Sequence, residues 1–334
     1  MKCLAIADLF ITKEMMEQGL NTLIDSGFEL TIREWRHENL EALQKDNLAI
    51  EQQGSEVVCL PENLYDDIDQ YDVIITQFAP IGQKVIEKAT SLKLIGVLRG
   101  GVENIHINEA KARGVEVINT PGRNARSVAE FTVGMILSEI RNIARSHAAL
   151  KQGDWRKDFS NVDFVPELED RTIGIIGYGH IGQLVGKFLS GFDTRIIFYD
   201  PYFQGETAFE EVDLETLLSD SDVVTLHGRL TEETKHLIRY EQLAMMKNTA
   251  VLINTARSGL VCEDDLIRAL NEKQIAGAAI DTFDQEPLGE ASPFVDLDNV
   301  TITAHLAGST IDAFKNTPKK LGKLILQWKE SQEA

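Results

Sequence analysis

Short, nearly continuous apolar runs recur along the whole chain, and helix-patterned stretches separate them. The first series of runs is Cys3 to Ala7, Glu29 to Trp35, Asp72 to Thr76, Leu92 to Leu98 and Val115 to Thr120. Helical patterns such as Glu14 to Asp25 and Gly82 to Ser91 lie between them. The second series is Thr172 to Gly177, Arg195 to Asp200, Asp222 to His227, Ala250 to Thr255, Gly277 to Phe283 and Val300 to His305. A strand without polar alternation has to be covered on both faces, which is the condition of a parallel sheet. Strand–helix alternation therefore predicts an α/β fold with right-handed crossovers. Two series in 334 residues predict two open domains, which the length accommodates.

Between the two series lies NTPGRNARSVAEFTVGMILSEIRNIARSHAALKQGDW. Pro121 and Gly122 punctuate the end of the first series. Ser127 followed by Glu130 reads as a capping box opening one long helix that Gly153 ends. Its apolar residues occupy more than one face, so it is expected to be buried between other elements. The final segment, Ser309 to Glu330, reads as helical.

Charge narrows the partners. Asp plus Glu number 53 against 33 Lys plus Arg, a formal net charge of −20. Such a surface repels phosphate backbones and anionic bilayers, so neither nucleic acid nor membrane is an expected partner. A local basic pocket for a small anion stays compatible with it. Cys3, Cys59 and Cys262 are far apart, which predicts reduced thiols with no disulfide framework and no metal site. Asp8 interrupts the opening apolar stretch too early for a secretory signal, and no apolar run approaches the ~20 residues that span a bilayer. The expectation is a soluble, cytoplasmic protein.

The sharpest local motif is TIGIIGYGHIGQLVGKFL, in which Gly177, Gly179 and Gly182 spell G-x-G-x-x-G after a strand and at the opening of a helix. The first glycine permits a tight turn, the second lets backbone approach a pyrophosphate, and the third lets helix pack on strand. Free N–H groups at His180 and Ile181, together with the helix dipole, would face the anion. The next strand ends at Asp200, 23 positions after Gly177. An acid there accepts hydrogen bonds from ribose hydroxyls and repels a 2′-phosphate, so NAD is the expected cofactor in preference to NADP. S-adenosylmethionine is a rival ligand for the same kind of loop, and a ligand-free glycine turn is another reading.

Ligands in open parallel sheets sit beyond the carboxyl ends of the strands. Three residues there form a usable set: Arg257 after AVLINTA, Glu286 in DQEP, and His305 at the end of VTITAH. In oxidation of a 2-hydroxy acid, His305 would take the hydroxyl proton, since imidazole titrates near neutrality. Glu286 would orient the ring and favour its protonated form. Arg257 would hold the substrate carboxylate and the C2 oxygen in a planar fork. Each also has a plain reading, as a structural histidine, a surface ion-pair partner and turn chemistry. His37, His106, His147 and His236 lack a comparable setting and read as structural.

At these residues the chain resembles the D-isomer-specific 2-hydroxyacid dehydrogenase family. The resemblance runs from about Leu92 to Ser309 through LRGGVENIHI, SVAEFTVGMIL, GYGHIG, FYDP, TLHGRLTEETKHLI, LINTARSGLV, IDTFDQEP and TAHLAGST. It implies catalytic roles for Arg257, Glu286 and His305, and carboxylate binding by the backbone of Gly100 and Gly101. It also implies cofactor contacts near His227, Thr255, Ala256, Asp281 and Gly308. The implied architecture is two doubly wound parallel-sheet domains, a Rossmann NAD domain (120–305) inserted in a flavodoxin-like substrate domain. That second domain comprises residues 1–119, to which a C-terminal helix (306–334) returns. Closure of two lobes would then bring imidazole and guanidinium to the carbon facing the nicotinamide. The resemblance further implies a homodimer, with the long helix from Ser127 at its interface.

The wording of the motifs is closest to phosphoglycerate dehydrogenase-like members, in a short form without a regulatory domain. Glyoxylate, hydroxypyruvate and sugar-acid substrates are equally compatible. Three positions depart from the family pattern: Arg229 replaces a common Pro, Ser258 a frequent Gly, and Arg99 stands directly before the substrate-binding glycines. Arg99 reads either as a surface arginine or as a contact for a second anionic or polyhydroxylated part of the substrate. A different class of function also fits the same residues: an NAD(H)-sensing, corepressor-like binding protein with little turnover.

Overall fold

Strands whose every residue is apolar or small pair only where both faces are covered, and the five residues of TIGII are all buried. The computed structural model of the chain describes residues 1–333. It divides into two units, one formed by Met1–Arg123 with the segment from Thr310 on, the other by Asn124–Ser309.

The first unit contains β1 (Lys2–Ala7), α1 (Lys13–Gly19), α2 (Asn21–Asp25), β2 (Glu29–Glu34), α3 (Leu40–Gln53), β3 (Val73–Thr76), α4 (Gln83–Lys88), β4 (Leu94–Val97), α5 (Ile107–Ala112) and β5 (Glu116–Asn119). Its sheet is parallel throughout, in the order β2-β1-β3-β4-β5. Thr76 sits opposite Ile6 on one side and Val97 on the other, which fixes the level of the strand ends.

The second unit runs α6 (Ala125–Ile140), α7 (Ile143–Lys151), β6 (Thr172–Ile176), α8 (His180–Leu189), β7 (Arg195–Tyr199), β8 (Glu210–Glu211), α9 (Leu214–Asp220), β9 (Val223–Leu226), α10 (Tyr240–Met245), β10 (Val251–Asn254), α11 (Glu263–Asn271), β11 (Gly277–Ile280) and β12 (Val300–Ile302). Its parallel sheet has the order β12-β11-β10-β9-β6-β7-β8. The last helix, α12 (Ile311–Glu333), belongs to the first unit and buries Leu321, Ile325 and Trp328 in the same apolar cluster as Leu94 and Leu98. Each fully buried side chain of this kind contributes about 1.5–3 kcal/mol of transfer free energy. The α/β fold class read from the apolar runs is the one found.

Three helix expectations are corrected. The long helix breaks into α6 and α7, because Asn142 adopts the left-handed conformation (φ 56°). Asn tolerates that region, and its side chain is held on both sides, donating to Asn161 Oδ1 at 2.7 Å and accepting from Arg145 Nη1 at 2.9 Å. The capping box is absent too. The helix begins earlier, at Ala125, and Ser127 Oγ donates to the Ala307 carbonyl at 2.6 Å, while Glu130 pairs with exposed Arg126. The predicted helix from Glu14 to Asp25 is likewise two short ones, α1 and α2, meeting at Leu20.

The buried faces of α6 point inward within its own unit. Ala129, Met135, Ile136 and Ile140 join the cluster that covers β6, β7 and α8. Glu139, 2 % exposed, is locked there by Arg145 and by Thr301 Oγ at 2.6 Å. Burial raises the Glu139 carboxyl's affinity for a proton, and Arg145 opposes it.

Candidate active site and dinucleotide loop

In the second sheet the strand order reverses between β6 and β9, and a ligand crevice is expected beyond their carboxyl ends. The glycine loop follows β6, and His227 follows β9. Gly177 has φ +89°, and a Cβ there would stand 2.4 Å from the Gly228 nitrogen, so the two loops touch through bare backbone. A Cβ on Gly182 would meet the Gly177 carbonyl at 2.3 Å, so α8 lies against the turn. Around Gly179, by contrast, a Cβ would meet nothing within 4 Å, leaving open space over the helix start. Gly179 caps α8 without any side-chain hydrogen bond, and the exposed His180 and half-buried Ile181 form its first turn. This is a cradle of free N–H groups under open space, which suits the pyrophosphate of a dinucleotide.

Gly177→Ala tests the cradle. A methyl group at φ +89° against the Gly228 backbone is expected to cost about 2 kcal/mol of stability and to abolish quenching of protein fluorescence by NADH. A denaturant titration with stability unchanged would contradict the geometry.

Asp200 closes β7, as the spacing required. Its Oδ2 accepts from Tyr178 N–H at 2.8 Å and its Oδ1 from Tyr202 N–H at 3.0 Å. It therefore ties the glycine loop to its own turn and keeps lone pairs for a ribose. The Tyr178 ring stacks on Phe198 with centroids 4.0 Å apart. His227 bonds Thr225 Oγ through Nε2 at 3.0 Å, and its buried Nδ1 has no partner among the described residues. Burial pushes its pKa down to about 3, so this ring is neutral.

Arg257, Glu286 and His305 follow β10, β11 and β12, which are adjacent in the sheet. Because all the strands run parallel, these residues leave the sheet on the same edge as the glycine loop. His305 Nδ1 lies 2.9 Å from Glu286 Oε2, and Glu286 Oε1 accepts from Phe283 N–H at 3.0 Å. The carboxylate thus grips the ring from one side and leaves Nε2 free. Arg257 is exposed and spends one N–H, from Nη1, on the Ala256 carbonyl at 2.7 Å.

Three positioning residues escaped the sequence reading or took another role. Asn254 donates to the Arg257 carbonyl at 2.9 Å and accepts from Ala256 N–H at 3.1 Å, shaping the turn that presents Arg257. Thr132 on α6 hydrogen-bonds Thr255 at 2.7 Å in the interior. Asp281, fully buried, accepts from Thr303 Oγ at 2.5 Å and from Leu306 and Ala307 N–H at 2.9 Å. It holds both flanks of His305, which itself sits at φ 53°. An Asp at a strand end is the signal in the sequence, but the groups that donate to it lie over twenty residues away. Gly308 packs against Asn124, whose Nδ2 would stand 2.5 Å from a Cβ.

In the first unit Gly100 and Gly101 follow β4. Their N–H groups make no hydrogen bond among the described residues, and a Cβ on Gly100 would touch only the Pro121 Cα, at 4.0 Å. Arg99 is 8 % exposed and already engaged by Glu51, by Glu103 at 3.4 Å and by Asn47 Oδ1 at 3.0 Å.

Comparison with known proteins identifies the family. Residues 133–307 match the model of the D-isomer specific 2-hydroxyacid dehydrogenase NAD-binding domain. A glyoxylate reductase of Thermofilum pendens is 42% identical over 259 residues, covering 75% of this chain and 76% of that protein. A D-3-phosphoglycerate dehydrogenase of Methanocaldococcus jannaschii is 42% identical over 261 residues, 76% of this chain and 49% of that protein. The solved structure of a D-2-hydroxyisocaproate dehydrogenase superposes with a TM-score of 0.77 at 26% identity, covering 100% of this chain and 98% of that one. The fold and its loop thus define an NAD-binding oxidoreductase of the α/β class. The chain belongs to the D-isomer-specific 2-hydroxyacid dehydrogenase family. That family's cofactor, NAD, supersedes the S-adenosylmethionine reading of the loop.

Proposed function

We propose that the chain interconverts a D-2-hydroxy acid and its 2-oxo acid through Arg257, Glu286 and His305. The observation that carries this reading is the His305–Glu286 pair, 2.9 Å apart, on the same glycine-loop edge of the sheet as Arg257, which spends only one N–H within the chain. When bound, NAD takes up or returns the hydride at C2. His305 Nε2 removes the C2 hydroxyl proton in oxidation and supplies it in reduction, while Nδ1 stays anchored on Glu286. Arg257 keeps several N–H donors for the substrate carboxylate and the C2 oxygen. Gly100 and Gly101 carry unpaired backbone N–H groups of the kind that hold a carboxylate. His180 and Ile181 N–H groups face the pyrophosphate, and Asp200 takes the ribose hydroxyls. His227, Thr255, Ala256, Asp281 and Gly308 shape the surrounding turns.

A panel of 2-oxo acids with NADH and NADPH in parallel tests the reading. Oxidation of NADH by at least one member is expected, with NADPH poorer by tenfold or more. Asp200→Ala should narrow that gap by removing the repulsion of a 2′-phosphate. A panel with no loss of nicotinamide absorbance would overturn the reading.

A homodimer is the proposed assembly. Helix α7 buries none of its residues, and Ile143, Leu150, Trp155, Val162 and Val165 are exposed, Trp155 at 76 %. Exposed apolar side chains concentrated in one segment favour a protein interface. Light scattering after size exclusion should give twice the chain mass, and Trp155→Glu with Ile143→Glu should halve it. A wild-type monomer at tens of micromolar would refute the assembly. Among the described residues no helix is long and apolar enough to cross a membrane. The cysteines are all free, with Cys59 exposed, which supports a reducing compartment and hence the cytoplasm.

A further inference from the structure

The order β2-β1-β3-β4-β5 also has a reversal point, between β1 and β3, where open sheets of this order take ligands. Asp8 directly follows β1, and Gln77 directly follows β3. Asp8 Oδ2, both amide atoms of Gln77 and Arg123 Nη1 are buried with no hydrogen-bond partner among the described residues. Buried polar atoms are ordinarily answered, so a group of unanswered ones at a reversal point marks a place for a ligand.

Asp8 and Arg123 lie within electrostatic range of each other without forming an ion pair. Asp8 Oδ1 is used up by Phe10 and Ile11 N–H at 2.8 and 2.9 Å, which leaves Oδ2 unanswered, with Arg123 and His37 in electrostatic range. An aromatic wall links the two cations of this edge. Arg99 stands 5.4 Å over Phe78, Phe78 meets Phe10 at 5.8 Å, Phe10 meets Phe314 at 5.1 Å, and Arg123 stands 5.1 Å over Phe314. Burial pushes Asp8 up to about 6 and Arg123 down to about 10.

We propose that this edge is a subsite for a hydroxyl on the tail of an acid held at Gly100 and Gly101, which accepts from Arg123 Nη1 and donates to Asp8 Oδ2. The inference rests on the 2-oxo acid reading above and names the substrate class within it: hydroxylated, unphosphorylated acids. Two unanswered acceptors, Asp8 Oδ2 and Gln77 Oε1, and two unanswered donors, Arg123 Nη1 and Gln77 Nε2, call for a group that is both acceptor and donor. A phosphate dianion only accepts. It would also meet Asp8, Glu51 and Glu103 against Arg99 and Arg123, an excess of negative charge. The Gly100–Gly101 donors lie on the same edge of the same sheet, so an acid held there directs its tail along this wall.

The experiment compares hydroxypyruvate with pyruvate, which differ by the hydroxyl alone, and adds 3-phosphohydroxypyruvate. A site built to bond a hydroxyl rejects the analogue that lacks it strongly. The wild type should prefer hydroxypyruvate over pyruvate in kcat/KM by about 100-fold or more. Arg123→Gln and Asp8→Asn should each cut that ratio at least tenfold. Arg123→Lys serves if Arg123→Gln fails to fold. Calorimetric binding of D-glycerate against D-lactate, in the same variants, reads the subsite without turnover. A ratio unchanged within twofold in folded variants overturns the subsite, as does a wild type that prefers 3-phosphohydroxypyruvate tenfold. If no 2-oxo acid is reduced yet D-glycerate binds better than D-lactate and loses that advantage in both variants, the enzymatic reading fails and the subsite stands.

Discussion

His305→Gln is expected to lower kcat for 2-oxo acid reduction by about 10²–10⁴-fold, the range that a positioned general acid–base group contributes. Glutamine has nearly the reach of the imidazole and retains a hydrogen bond to Glu286 Oε2, which His305 holds at 2.9 Å. What it lacks is a nitrogen that exchanges a proton near neutral pH. The loss should therefore fall on kcat, with the NADH dissociation constant from fluorescence quenching little changed. A variant that retains a tenth or more of wild-type kcat would remove His305 from the proton-transfer role. A variant that loses NADH binding in parallel would assign the residue to structure instead.

Asp281→Asn is expected to damage stability and turnover together. The carboxylate is fully buried and accepts three hydrogen bonds, from Thr303 Oγ, Leu306 N–H and Ala307 N–H. All three partners are donors. An amide has one acceptor atom, so either orientation points an NH₂ at a donor. Charge-assisted bonds of this kind are worth about 1.5–3 kcal/mol each, and an unanswered buried donor costs about 1–3 kcal/mol more. The net expectation is about 3 kcal/mol, or roughly 10 °C in Tm for a unit of this size. Leu306 and Ala307 directly follow His305, so the loosened loop should also lower kcat by tenfold or more. A Tm within 2 °C of wild type would show that the loop does not depend on this carboxylate.

The parts of the site that sequence made legible are those set by local spacing. Gly177, Gly179, Gly182 and Asp200 sit within one strand–helix–strand unit, and the structure places the acid's Oδ2 2.8 Å from the Tyr178 nitrogen in the glycine loop. Arg257, Glu286 and His305 stood out because each ends an apolar run. That they leave neighbouring strands on one edge was beyond local pattern. It depends on β10, β11 and β12 being neighbours, which is a matter of sheet order. Ser127 shows the opposite failure. Its spacing to Glu130 matched a capping box, yet its hydroxyl reaches Ala307, 180 positions away. A tertiary acceptor competed with the local one and won. Arg99 shows a third kind of limit, since no local pattern marks Glu51, 48 positions earlier, as its partner.

The sequence by itself determined which segments become buried parallel strands, where the turn needs a residue without a side chain, and which acid follows the next strand. Those properties follow from hydrophobic periodicity and backbone sterics, which act over a few residues. Tertiary structure alone decided that Asp281 clasps the His305 loop, that Asn142 splits one helix into two, and that Asp8 and Arg123 come to share an edge. Burial and long-range pairing set these, because an unpartnered polar group becomes costly only once the fold has removed its water.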